Sequence, residues 1–276
     1  MNKPTLTPDQ IKQFHDVGYL RGPKVLDDEQ IDVLRAEVLR VIDDRANKDV
    51  AQPVLCHNLT GKADAVVWQI VNIWMASDAF KAVVTGDVVS SLIAQLTGAS
   101  ELRVWDDQIQ YKPATGGGVN MWHQDSPYWG ILTPKHQQVT AWIALDDVDV
   151  ENGCMKMVPG SHHWGPDAIN FLHTLRAFDD MEKIADWEGH PVRVLPCPVA
   201  KGEVHFHHSL TWHGSGANKS GRPRRAVAIH YATEQTRYLA SGTHVMKKFV
   251  DVAEGEILRG DAFPLVWSKD AISAHA

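Results

Sequence analysis

The repeat of apolar positions changes once along the chain. Up to Gly98 the repeat is helical. Thr7-Pro8-Asp9-Gln10 supplies a capping hydroxyl, a proline for the first helical position and a polar first turn. Ile11, Phe14 and Val17 follow at helical spacing, which predicts a short helix ending near Gly18. Asp27 or Asp28 caps a second helix, in which Ile31, Leu34, Val38, Val41 and Ile42 recur on one face. Ser77 starts a third, carrying Phe80, Val84, Val88, Leu92 and Leu96 until Gly98 stops it. The first hundred residues are therefore expected to be mostly helical.

Beyond Gly98, β-branched and aromatic residues alternate with polar ones in 102–112, 119–124, 138–146, 154–158, 192–195, 203–207 and 224–232, with Gly and Pro turns between them. Short strands without a helix between each pair predict antiparallel pairing in a sandwich or barrel rather than a doubly wound parallel sheet. The segment 161–190 carries no strand pattern and reads as a long connection of the kind that forms lids or binding loops. The expected organisation is one domain over 1–276: a helical support over about 1–100, a β core over about 101–235 and a tail over 236–276.

Composition narrows the class. With 44% hydrophobic residues in 276, the chain can fill a sizeable core, so disorder and a disulfide scaffold are excluded. Its 27 basic and 34 acidic residues give a net charge of −7, and the basic residues form no stripe, which argues against nucleic acid as a partner. The N-terminal MNKPTLTPDQIKQF lacks the apolar core of a signal peptide, and no run approaches the roughly 20 apolar residues of a membrane span. A cytoplasmic protein with no membrane partner is expected. Cys56, Cys154 and Cys197 stand at unrelated spacings and read as reduced thiols. The 15 His and 10 Trp, however, point to metal chemistry or an aromatic-walled pocket.

His123-Gln124-Asp125 is the first candidate. On a strand, residues two apart project to the same side, so an imidazole and a carboxylate would share one space. With His213 as a distant third ligand, the set becomes the two-His-one-carboxylate face that leaves positions open on Fe(II). Chance alone supplies about 1.3 such triplets in this composition, so the spacing needs its context. A rival set exists in His205 and His207, which share a face and with His213 could hold Zn(II) in a hydrolase. A silent binding barrel is the third possibility. Around the first set, Trp105, Tyr128 and Trp129 are candidates for substrate contact, whereas Trp122 and Trp212 should face away from His123 and His213. Asp106, Asp107 and Arg103 could recognise a polar substrate group.

The context is MWHQDSPYWG, TAWIALDDVDVENGCMKMVPGSHHWG and GEVHFHHSLTWHGSGANKSGRPRRAVAIHY. Together these segments resemble the phytanoyl-CoA dioxygenase family, non-haem Fe(II)- and 2-oxoglutarate-dependent oxygenases, from TPDQIKQFHDVGYL to about residue 232. The resemblance implies a mainly β fold with flanking α-helices around a double-stranded β-helix, the jelly-roll or cupin-like core. It implies His123, Asp125 and His213 as iron ligands and Arg224 as the anchor of the far carboxylate of 2-oxoglutarate, with Ser215, Trp142 and Gln108 lining the same co-substrate. The implied reaction consumes O2 and 2-oxoglutarate, releases succinate and CO2, and hydroxylates a C–H bond of a small molecule; desaturation or cyclisation would use the same machinery. Related halogenases lack the carboxylate, so Asp125 favours oxygenation. A planar guanidinium suits a carboxylate better than Lys does, and Arg224 and Arg225 cannot both enter one pocket from a strand. No basic cluster suits coenzyme A, and the ISAHA terminus is not a peroxisomal address, so a small polar metabolite or natural-product intermediate is the expected substrate.

Overall fold

The computed structural model describes residues 4–270, so the ISAHA terminus lies outside the described residues. Helix α1, Pro8–Val17, begins with a capping box in which Thr7 Oγ1 accepts from the Gln10 amide and Gln10 Oε1 accepts from the Thr7 amide. It ends at Gly18, whose φ of 83° and contact with Thr211 and His162 leave no room for a Cβ. Helix α2, Asp28–Asp43, is capped by Asp27 and buries the five apolar residues its spacing singled out. The third predicted helix is two: α3, Asp78–Val84, and α4, Asp87–Thr97. Ser77 and Gly98 do cap the ends, but Thr85 and Gly86 break the run between them. Residues 78–97 also exceed the sequence expectation for apolar runs, with a window of mean hydropathy 1.3. Half of that window is buried, and the break divides it between two helices packed on the sheet.

The first hundred residues also contribute three strands that the helical reading missed: Tyr19–Lys24, Leu55–Asn58 and Trp68–Val71. Among the described residues these join an antiparallel sheet in the order Tyr19–Lys24, Glu203–His208, Gln138–Ala144, Arg224–Thr233, Glu101–Lys112, Trp68–Val71, Leu55–Asn58, with Leu265–Ser268 also paired to Glu101–Lys112. A smaller antiparallel sheet runs Leu195–Cys197, Met155–Met157, His213–Ser215, Asn120–His123. The two sheets form the jelly-roll core, mostly β with a few helices, as expected from the alternation.

Alternation sorts the large sheet into two faces. Ile70, Ile109, Ala141, Ile143, Val204, Phe206, Val227 and Ile229 point outward and pack under α1 to α4 in the main apolar cluster. The opposite face carries three registered rows: His207, Thr140, His230 and Asp106; then Trp142, Ala228 and Gln108; then Arg224 beside Lys112. Polar side chains on an inner face cost free energy unless something satisfies them, so this face is where function belongs. The 161–190 connection contains α5, Ile169–Leu172, and 3-10 turns, and packs Leu172, Phe178 and Met181 against Trp122 and Trp212 behind the small sheet.

Candidate active site

A cavity of about 660 Å³ opens between the two sheets. Its lining includes His123, Asp125, Tyr128, Trp129, Trp142, His213, Ser215, Arg224 and Gln108, nearly every site residue predicted from sequence. His123 ends the strand Asn120–His123 and pairs directly with His213, which begins His213–Ser215. Asp125 does not extend its strand. It sits in helical conformation at the head of the 3-10 turn Ser126–Tyr128, with its amide bonded to the Ser209 carbonyl at 2.9 Å. The chain therefore turns Asp125 in toward the imidazoles, and strand alternation is not what brings the three together.

One ligand atom from each of His123, Asp125 and His213 lies within 4.8 Å of the other two. Asp125 Oδ1 stands 3.7 Å from His123 Nε2 and 3.5 Å from His213 Nε2. Neighbouring ligands about 2.1 Å from one ion would stand about 3 Å apart, so a divalent cation fits after a small inward shift. The tautomers also suit a cation. His123 Nδ1 donates to the Met121 carbonyl at 2.7 Å and His213 Nδ1 to the Thr211 carbonyl at 2.9 Å, which leaves both Nε2 atoms bare. Burial, with His213 beside it, brings the His123 imidazole down to about 4, and burial lowers His213 as well. Burial opposes ionisation of Asp125, yet His213 and the hydrogen bond from His207 outweigh it and hold that carboxyl well below its ordinary range. At neutral pH the cluster offers two neutral nitrogens and one carboxylate.

The other oxygen of Asp125 is tied down. Oδ2 accepts from Thr140 Oγ1 at 2.9 Å and from His207 Nε2 at 3.1 Å. His205, the third member of the rival histidine set, instead stacks on Tyr19 with ring centroids 5.6 Å apart, and it does not line the cavity. The structure therefore does not assemble His205, His207 and His213 as one metal site.

Deeper in the cavity, Arg224 is 1% exposed, with Nη2 donating to Ser215 Oγ at 3.0 Å and to the Gly153 carbonyl at 2.9 Å. Its guanidinium lies 5.4 Å from the centre of the Trp142 ring, and its Nε is buried with no partner. Burial brings the guanidinium down to about 10, and among the described residues no carboxylate pairs with it. Arg225, on the opposite face, is bound by both oxygens of Asp146 at 2.9 Å, and Arg222 pairs with Asp149. A buried cation without a carboxylate partner, beside an orphaned N–H, has the chemistry to receive an anion.

Four residues singled out from the sequence do not line the cavity. Trp105 does not reach the cavity, because the register between Arg224–Thr233 and Glu101–Lys112 slips there, and its ring stacks on Phe263 at 5.7 Å. Asp106 and Asp107 are fully buried and line no part of the cavity, Asp106 across from His230 on the inner face and Asp107 across from Ile229 on the outer one, and Arg103 also lies outside the lining. Conversely, sequence reading missed Thr140, His230 and Lys112. Thr140 stands two residues before Trp142 and Lys112 four after Gln108, so strand alternation from either neighbour points to them.

Comparison with known proteins identifies the family and the fold. The profile of the family described as phytanoyl-CoA dioxygenase (PhyH) matches residues 14–226. A probable alpha-ketoglutarate-dependent hypophosphite dioxygenase of Stutzerimonas stutzeri is 26% identical over 81% of this chain and 78% of its own length. Among solved structures, the non-heme alpha ketoglutarate dependent carbocyclase SnoK from nogalamycin biosynthesis superposes with a TM-score of 0.76 at 26% identity, covering 95% of this chain and 97% of SnoK. The epimerase SnoN in complex with Fe3+, alpha ketoglutarate and nogalamycin RO shares the fold, with a TM-score of 0.68 at 23% identity over 94% and 98% of the two chains.

Proposed function

The chain belongs to the phytanoyl-CoA dioxygenase family of Fe(II)- and 2-oxoglutarate-dependent oxygenases, and from that premise we propose that it hydroxylates a C–H bond of a small organic molecule. In this reading His123, Asp125 and His213 hold the iron through two Nε2 atoms and Asp125 Oδ1. Arg224 and Ser215 receive the distal carboxylate of 2-oxoglutarate, with Trp142 and Gln108 on the walls of the same space. When bound, the iron and the keto acid supply the oxidising power, with O2 as oxidant and succinate and CO2 as co-products. The protein's own part is positional. The backbone carbonyls of Met121 and Thr211 fix the imidazole tautomers, Thr140 and His207 fix the carboxylate, and Tyr128 and Trp129 wall the mouth against water.

The observation that carries this reading is the shared cavity: a three-donor cluster suited to a divalent ion, and in the same space a buried guanidinium without a protein counter-charge. Ring closure is a second reading, favoured by the likeness to a carbocyclase along nearly the whole chain. The test is anaerobic loading with Fe(II) and 2-oxoglutarate, followed by the charge-transfer absorption of the chelate. That band is expected in the wild type and absent in Asp125→Ala and His213→Ala; an equal band in those variants overturns the ligand assignment. Admitting O2 with candidate substrates then separates the two readings, since hydroxylation adds an oxygen atom to the product and ring closure removes two hydrogens.

A further inference from the structure

Lys112 is the most unusual buried group outside the residues used so far. It ends the strand Glu101–Lys112, directly across from Arg224, so two cations stand side by side on the inner face. Lys112 is 0% exposed, and among the described residues neither it nor Arg224 forms an ion pair. Two adjacent buried charges of one sign repel each other and have both lost their hydration, a cost that a bound anion would relieve.

The hydrogen bonds say where that anion sits. Lys112 Nζ spends its three donors on the Ser215 carbonyl at 3.0 Å, the Gly216 carbonyl at 2.6 Å and Ser215 Oγ at 2.6 Å. Ser215 Oγ also accepts from Arg224 Nη2 at 3.0 Å. A hydroxyl oxygen has two lone pairs, and both are taken. Its own proton must therefore be given to something else, and Ser215 and Arg224 line the cavity while Lys112 stands behind them. The cavity is thus offered the Ser215 hydroxyl, beside an Arg224 whose Nε has no partner, with two basic groups behind it. Burial and the neighbouring Arg224 press the Lys112 ammonium well below its ordinary range, a penalty that an incoming carboxylate removes.

We propose that Lys112 is a positioning residue for the 2-oxo diacid: it turns the Ser215 hydroxyl toward the distal carboxylate and doubles the positive charge behind it. This rests on the reading above that Arg224 and Ser215 receive that carboxylate. Lys112 takes no part at the metal end, so it distinguishes a keto acid with a second carboxylate from one without.

The test compares 2-oxoglutarate with pyruvate, which keeps the chelating 2-oxo acid and lacks the distal carboxylate. Both are titrated anaerobically into Fe(II)-loaded protein and followed by chelate absorption. Lys112→Met is expected to raise the Kd for 2-oxoglutarate about 10-fold or more, as for loss of a charge-assisted contact, while the Kd for pyruvate stays within about twofold. Turnover should show the same split, with KM for 2-oxoglutarate raised and kcat at saturation retained. Lys112→Gln keeps a donor for Ser215 but no charge, should fall between, and carries the comparison if the Met variant does not fold. Equal weakening of both acids, or no change for 2-oxoglutarate, overturns the proposal. Absence of the band in the wild type overturns the iron and co-substrate assignment as a whole, which distinguishes the two failures.

Discussion

Thr140 Oγ1 lies 2.9 Å from Asp125 Oδ2, which leaves Oδ1 as the oxygen facing both candidate imidazoles. The same hydroxyl is 2.8 Å from His230 Nδ1. A Thr hydroxyl has one proton, so if it donates to the carboxylate it accepts from His230, and the row His230, Thr140, Asp125 becomes a directed chain of donors. Thr140→Val keeps the shape and removes the link. Fe(II) affinity should drop about 10- to 100-fold, the usual cost of losing a partner that orients a ligand. Metal competition titration checks this, and an unchanged affinity would mean that His207 alone holds the carboxylate.

Arg224 leads to a second expectation. Its Nη2 bonds Ser215 and Gly153 at once, and its guanidinium carbon lies over the Trp142 ring. Lys in its place would keep a charge but neither the fork nor the stacking. Arg224→Lys should raise KM for 2-oxoglutarate about 10- to 100-fold with kcat at saturation largely retained, since the group touches the far end of the diacid. Steady-state kinetics with varied 2-oxoglutarate decide it. A fall in kcat with KM unchanged would place Arg224 elsewhere in the reaction.

Much of this was readable because strand alternation has a period of two. Gln108, Trp142 and Arg224 fall on one face for that reason, and Arg225 on the other. The readings failed where a local event breaks the period. A one-residue slip sends Trp105 toward Phe263, Gly86 divides a helical run, and the strands Leu55–Asn58 and Trp68–Val71 are too short to show a pattern. His123 and Asp125 do meet, but by a turn after the strand and not along it. Alternation puts Lys112 and Thr140 on the same face as Gln108 and Trp142, yet it says nothing of what they do there. Their meaning lies in hydrogen bonds to residues 103 and 15 positions away, which follow from pairing across the fold and not from local composition.

Asp106 ties stability to pH. It is fully buried behind the site, 3.7 Å from His230 Nε2, and burial pushes its carboxyl up to about 8, with the negative charge of Asp125 adding to the effect. The folded protein keeps this proton through the neutral range, whereas the unfolded chain releases it near 3.8. The native state therefore binds more protons between about pH 4 and about pH 8, and stability declines as pH rises through that window, by up to about 1.4 kcal/mol per unit. Asp106→Asn carries no titrating proton and should show a flatter profile in metal-free protein. Urea unfolding at several pH values across the window tests it, and parallel profiles for the two proteins would refute it. Asp107, raised chiefly by burial, should add a decline of its own in both proteins.

The long connection meets the site through several hydrogen bonds, Gln124 to the Gly165 carbonyl and Trp122 to the Phe178 carbonyl among them, and one of these is partly exposed. Tyr128, three residues after Asp125 and 51% exposed, holds its phenol oxygen 2.8 Å from His173 Nε2, just beyond α5. Leu172 and Leu175 of the same segment line the cavity, so this contact joins the connection to the turn that carries Asp125. A partly exposed hydrogen bond contributes about 1 kcal/mol, here added to the packing of Leu172, Phe178 and Met181 on Trp122 and Trp212, so its loss should loosen the edge of the segment nearest the cavity and leave the rest in place. Tyr128→Phe should leave Fe(II) and 2-oxoglutarate binding intact and raise KM for the organic substrate about fivefold, the equivalent of that energy. A looser mouth should also admit water, so more succinate should form per molecule of product. The ratio of succinate to product measures this coupling. If the ratio and KM both match the wild type, residues 161–190 do not act as a closing element over this site.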